Sequence, residues 1–134
     1  MKDDRQVVTP HFPGRAPVDA YGKGGFRFAG MSHRGSILLL PSGIYGWSVS
    51  ALTDLSPDSF APVFAEASEI EFLLLGCGLE LVRPDGKIRQ AFHDNGIRLE
   101  PMGTGAAART YNVLLGEGRS VAAALIAVDD PRST

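Results

Sequence analysis

The amino-acid sequence predicts an α/β fold: a single compact three-layer domain with a mixed sheet, antiparallel in its N-terminal part and βαβαβ in its C-terminal part. Three observations carry this reading. Residues 70–75 (IEFLLL) and 121–128 (VAAALIAV) are apolar with almost no polar alternation, as in strands covered on both faces. Two stretches with helical spacing separate them, and strand, helix, strand, helix, strand at this spacing implies right-handed crossovers and a parallel sheet. Before residue 50 the chain consists of short strand-like pieces broken by glycine and proline, the pattern of hairpins.

Taken in order, residues 1–17 carry Pro10, Pro13 and Pro17 with little periodic apolar content and read as a poorly ordered arm. Residues 18–129 form the domain, and residues 130–134 a tail. Phe26 and Phe28 alternate with Arg27 after a glycine-rich turn, the two-residue period of a half-exposed strand. Residues 36–40 (SILLL) make a short buried strand ended by Pro41 and Gly43. Residues 44–50 (IYGWSVS) make another, with Trp47 as a core anchor. A short helix follows over residues 56–67, with Ser59 as N-cap, because Pro62 then falls in the first turn and removes no intrahelical donor. The strand at 70–75 ends in Gly76-Cys77-Gly78, and residues 79–82 add a brief strand before the Pro84-Asp85-Gly86 turn. Ile88, Ala91 and Phe92 share one face of a helix over 87–94, which Asn95-Gly96 ends. Residues 97–100 alternate apolar and charged side chains, as a more exposed strand does. Thr104 then caps a helix over 105–115, whose apolar stripe is Ala107, Tyr111, Leu114 and Leu115 and whose stop is Gly116 and Gly118.

At 134 residues, 44% apolar and 21% charged, the chain is long enough for one domain with its own core. A net charge of −2 from 13 basic and 15 acidic residues, with no long run of either sign, argues against nucleic acid as a partner. Cys77 is the single cysteine, so no intrachain disulfide forms. The opening MKDDRQVVT lacks the apolar stretch of a signal peptide, and the eight apolar residues at 121–128 are far too few to span a bilayer. A cytoplasmic protein without a transmembrane segment is the expectation.

In open sheets with crossover helices, ligands sit beyond the carboxyl ends of the parallel strands. Gly76 and Gly78 mark one such end. Met102, Gly103 and Thr104 mark the next, where a helix N-terminus favours an anion. Glycines there serve equally well as the tight turns every such sheet needs. Arg109, Thr110 and Asn112 are the polar residues of an otherwise apolar helix, with Glu117 and Arg119 just past its end. They read either as a cluster gripping the carboxylate of a ligand or partner, with Arg109 bidentate, or as a structural network in which Arg109 pairs with Glu117.

Cys77 sits between two glycines, but a nucleophilic thiol needs a base, and His11, His33 and His93 are scattered along the chain. A small buried side chain is its plainer role. The histidines and the cysteine have no metal-ligand spacing. The glycine run at 22–25 precedes a strand, where a nucleotide-binding loop needs a helix. With no nucleophile elbow and no pair of catalytic carboxylates, the sequence offers no catalytic residue, no metal site and no cofactor.

Taken together, several segments resemble one family: YGKGGFRF, SILLLP with Trp47 soon after, IEFLLLGCG, GIRLEPM, T-x-A-A-x-R-T-Y-N-V-L-L at 104–115, and EGRSVAAALI. The family comprises small proteins related to mitochondrial complex I assembly factor 3, and the likeness covers about residues 18–128. It implies the same three-layer α/β fold, no established catalytic activity, and a role beside a protein partner. It carries over typical positions onto Gly76, Gly78, Met102, Thr104, Arg109, Thr110, Asn112, Glu117 and Arg119. Cys77 departs from the pattern, since relatives often have threonine there. The expectation is therefore a non-catalytic interaction domain of the assembly-factor kind, with another protein as partner. The alternative is a small-molecule protein or enzyme holding a carboxylate or phosphate at the carboxyl ends of the parallel strands.

Overall fold

Burial of the long apolar runs sets the architecture, which the computed structural model describes for residues 10–129. The expected tail and the first nine residues of the expected arm lie outside the described residues. Eight strands and three helices follow in chain order. β1 (Val18–Gly22), β2 (Gly25–Phe28) and β3 (Met31–Arg34) form an antiparallel sheet of their own. β4 (Ser36–Leu40), β5 (Gly43–Trp47), β6 (Phe72–Gly76), β7 (Arg98–Met102) and β8 (Val121–Leu125) form a five-stranded sheet in the order β5-β4-β8-β6-β7. β8 pairs antiparallel with β4 on one side and parallel with β6 on the other, so its edges and faces are all covered. That is why a run as apolar as VAAALIAV is placed there.

The remaining elements are α1 (Ala61–Phe64), α2 (Gly86–Asp94) and α3 (Thr104–Gly116). The chain moves from β6 outward to β7, then back across β6 to β8. Right-handed crossovers in opposite directions must place their helices on opposite faces. Accordingly, Ile88 and Phe92 of α2 pack with Leu73, Leu75, Ala122 and Ala124 on one face. Ala107, Ala108 and Tyr111 of α3 pack with Leu74, Ala123 and Leu125 on the other, beside Phe26 and Phe28 of the small sheet. Three layers result, as expected. Each fully buried leucine contributes roughly 1.5–3 kcal/mol to holding them together. Tyr111 belongs to this core: burial pushes its hydroxyl up to about 12, against a smaller opposing effect of Arg15.

Several boundaries differ from expectation for physical reasons. The helix expected over 56–67 breaks into a 3-10 turn at Pro57–Phe60, the single α turn of α1, and another 3-10 turn at Ala67–Glu69. The chain already turns at Pro57, and Ser59 is not the cap; its hydroxyl accepts from the Ser56 N–H at 3.1 Å. Its carbonyl accepts from Trp47 Nε1 at 2.9 Å, which fixes the indole against Phe60. The strand expected over 79–82 does not form: the segment has no strand neighbour, and its apolar side chains face solvent. Asp85 caps α2 through Oδ1, accepting from the N–H groups of Lys87 and Ile88. At the end of α3 the left-handed residue is Gly118, at φ 75°, whereas Gly116 is still helical.

Candidate functional site

The carboxyl ends of β6 and β7 meet where a ligand of an open α/β sheet would sit, because their onward connections leave toward opposite faces. Gly76, Gly78, Met102 and Thr104 come together there, and Thr104 holds the group. It is the first residue of α3, with Gly103 before it in the cap position, so it is not the N-cap. Its side chain instead looks across the sheet, fully buried. The Thr104 hydroxyl accepts from the Gly78 N–H at 3.0 Å and donates to the Ile126 carbonyl at 2.7 Å. The Thr104 N–H donates to the Gly78 carbonyl at 2.7 Å, and the Cys77 N–H to the Met102 carbonyl at 2.7 Å. One side chain thereby ties together the chain leaving β6, β7 and β8.

Gly76 is required by this closeness. A Cβ there would lie 2.9 Å from Leu125 Cδ2 and 3.0 Å from both Cα and Oγ1 of Thr104. At this point the crevice is filled by the protein's own hydroxyl and backbone.

The other sequence-derived candidates lie elsewhere. Arg109 is exposed on the outer side of α3, and among the described residues it forms no ion pair with the equally exposed Glu117. Thr110 is half-buried beside it. Asn112 acts as a clamp: its Oδ1 accepts from the Val18 N–H and its Nδ2 donates to the Val18 carbonyl, both at 2.8 Å. The amide thus stands in for a neighbouring strand and fastens β1 to α3. Arg119 lies over the Phe72 ring at 5.0 Å, with Nη2 3.7 Å from Glu71 Oε1. Phe72 begins β6 and Glu71 precedes it, so Arg119 is at the opposite end of the strands from Thr104, with five residues from Glu71 to Gly76 spanning roughly 16 Å at about 3.3 Å per residue. The structure therefore places Gly76, Gly78, Met102 and Thr104 at the carboxyl ends of the strands, Arg119 at the amino end, and Arg109, Thr110 and Asn112 along α3.

Cys77 is buried, and its thiol points to the carbonyls of Leu75 and Val82 at 3.6 and 3.4 Å. Burial raises its pKa, which disfavours the thiolate that a nucleophile needs. His11 and His33 do meet, with ring centroids 4.6 Å apart, above Gly46 of β5. Burial first, and His11 second, lower the pKa of His33, against a backbone hydrogen bond at Ser36 that raises it. Their 22-residue separation gave no sequence signal. Among the described residues no group of three or more His, Cys, Asp and Glu side chains can hold a metal ion. Among them, too, no helix is long and apolar enough to cross a membrane.

A further surface feature was hidden in the stretch read as a strand. Leu79, Leu81 and Val82 are 50%, 62% and 45% exposed, in the segment that leaves β6 past Gly103 and leads to Arg83 and Pro84 beside β7. Beside them, a groove of about 380 Å³ runs between α2 and β7.

Fold and site together describe an α/β domain whose strand-end crevice is bound up in its own structure. The chain belongs to the family described as protein of unknown function (DUF498/DUF598), which it matches over residues 18–126. It is 38% identical over 117 residues to an uncharacterised protein of Rhodobacter capsulatus, covering 87% of this chain and 89% of that one. It is 33% identical over 120 residues to NADH dehydrogenase (ubiquinone) 1 alpha subcomplex assembly factor 3 of Mus musculus. That match covers 90% of this chain but only 65% of the mouse protein, less than two thirds of its length. Among solved structures, one described as an outer membrane protein from Bartonella henselae is 52% identical with a TM-score of 0.86, covering 89% of this chain and all of that one. The resemblance read from the sequence is thus to the right family, and the α/β fold is shared.

Proposed function

We propose that this chain is a non-catalytic interaction domain that helps assemble a multi-subunit complex by holding a protein partner. The observation that carries the reading is the kinship with assembly factor 3 across 90% of the chain. The binding of the strand-end crevice by Thr104 supports it, since the place where this fold takes small ligands is occupied by backbone and hydroxyl. By the same kinship, the complex served is an NADH dehydrogenase. A cytoplasmic site of action belongs to this reading and fits the single, free cysteine.

Deleting the gene in its native cell tests the proposal, with native gels stained for NADH dehydrogenase activity and subunit levels measured alongside. Loss of the assembled complex while its subunits are still made is the expected outcome. Unchanged assembly would overturn the reading. Cell fractionation tests the location, and recovery with the membranes alone would contradict a cytoplasmic role.

A further inference from the structure

The hydrogen-bond direction along β7 fixes what its free edge offers. The Arg98 N–H donates to the Glu71 carbonyl at 3.0 Å and the Met102 carbonyl accepts from Cys77 at 2.7 Å. In a parallel ladder the bonding residues alternate, so Arg98, Glu100 and Met102 face β6 while Leu99 and Pro101 turn their backbone groups outward. Proline has no N–H. The edge therefore presents the Leu99 N–H and two carbonyls, enough to pair with an extended segment yet too few donors for an indiscriminate sheet extension.

The groove alongside has an apolar floor that includes Phe92, Ile97 and Leu99. Its rim carries Arg83, Arg89 and His93, and no acidic side chain lines it. Arg89 Nε is held by the Pro84 carbonyl at 3.1 Å, which steadies the guanidinium. Asp94 touches His93 at 3.8 Å and also accepts from Gln90, while Asp85 is committed as the cap of α2. Of the five large apolar side chains exposed among the described residues, three, Leu79, Leu81 and Val82, fall in the short segment that leads into the groove at Arg83 and Pro84. Single exposed apolar residues are ordinary, but a contiguous group marks an interaction surface.

The geometry points to the β7 edge and the 79–83 segment as the docking surface for an extended segment of the protein partner. That segment is apolar and carries at least one carboxylate for the arginines. Apolar side chains would cover Leu79, Leu81 and the groove floor, backbone groups would meet Leu99 and Pro101, and the acid would meet Arg83 and Arg89. The inference rests on the interaction-domain reading above. A partner of opposite charge is favoured over the chain's own N-terminal residues, which enter the structure at the far edge: Phe12 bridges Ile44 on β5. Four strand spacings, roughly 19 Å, separate the two edges.

Photocrosslinking in the native cell tests this, with a benzophenone amino acid placed in the full-length chain at Leu81 or, as control, at Val113. Val113 is 59% exposed on α3, on a different face. The expected result is a crosslink from position 81 to an apolar, acid-bearing segment of another protein, absent from position 113. Arg83→Glu combined with Arg89→Glu should reduce its yield roughly tenfold, as reversing charges at a complementary interface does. Because both arginine side chains are exposed and only the Arg89–Pro84 hydrogen bond is lost, a cooperative melt lowered by no more than several degrees is expected and serves as the folding check. A crosslink to residues 1–9 of the same chain, to a second copy, or to a segment without acidic residues would overturn the proposal. So would equal yields from both positions. If the gene deletion still abolishes assembly in any of those cases, the interaction-domain reading stands and only this surface is wrong.

Discussion

The two edges of the five-stranded sheet meet the same hazard in different ways. An unpaired strand edge is a template for unwanted pairing. At β5 the protein covers the edge with its own chain: Ile44 donates to the Phe12 carbonyl at 2.9 Å and accepts from the His11 N–H at 2.7 Å. Gly43 makes this possible, since a Cβ there would lie 2.6 Å from the Phe12 carbonyl oxygen and 2.8 Å from Pro10 Cβ. At β7 no strand among the described residues pairs with the edge, and Pro101 removes a donor from it. The first solution closes a surface; the second keeps one usable, next to an apolar loop and two arginines.

The contrast holds only if the sheet between the edges is rigid, and the largest expected effect comes from loosening it. Thr104→Val removes the hydroxyl shared by Gly78 and Ile126, leaving a half-buried donor and a buried acceptor unmatched. A loss of roughly 1–4 kcal/mol in urea unfolding is expected, at 1–3 kcal/mol for the orphaned buried carbonyl and up to about 1 kcal/mol for the half-buried N–H. A loss below 0.5 kcal/mol would mean that the hydroxyl does not hold the strand ends.

Gly43→Val breaks the covered edge specifically. Overpacking of this kind costs about 1–3 kcal/mol, and the Ile44 amide should lose its hydrogen-exchange protection while strand-paired Leu74 keeps its own. Loss of protection at both would show that the edge is not a separate unit.

Acid should act on the same edge more gently. His33 has its pKa lowered below 6.5 in the folded state, so the unfolded chain takes up protons first as pH falls. Stability is therefore full above 6.5 and declines as pH drops from there toward the folded-state pKa. His11→Asn, which removes one partner of the ring pair, should shrink this decline; an unchanged pH profile would take the pair out of the account.

The smallest effect on stability is expected at the open edge. Pro101→Thr restores the missing donor, so sedimentation should show concentration-dependent self-association with unfolding free energy changed by less than about 1 kcal/mol. A strictly monomeric variant would argue that Pro101 does not guard the edge.

How much of this was legible depended on whether a feature is local. IEFLLL and VAAALIAV announce buried strands by composition, and the crossover rule then brings Gly76, Gly78, Met102 and Thr104 together without further information. MSHR, which forms β3, has no apolar alternation and is a strand only because β2 pairs with it. LELV alternates like a strand but finds no neighbour. Asn112 and Val18 are 94 residues apart, and an amide that imitates a strand leaves no periodic trace. Arg109 stands out in the sequence for its charge on an apolar helix, whereas among the candidate residues the side chains that tie distant segments together are Thr104, Asn112 and Arg119.

The most direct measurement is residue-resolved amide hydrogen exchange on the dilute chain, repeated with the partner bound. The account predicts a protected Ile44 amide and a fast-exchanging Leu99 amide in the free chain, with Leu99 slowing on complex formation. A Leu99 amide already protected in the free, dilute chain, or one unchanged by the partner, would contradict it.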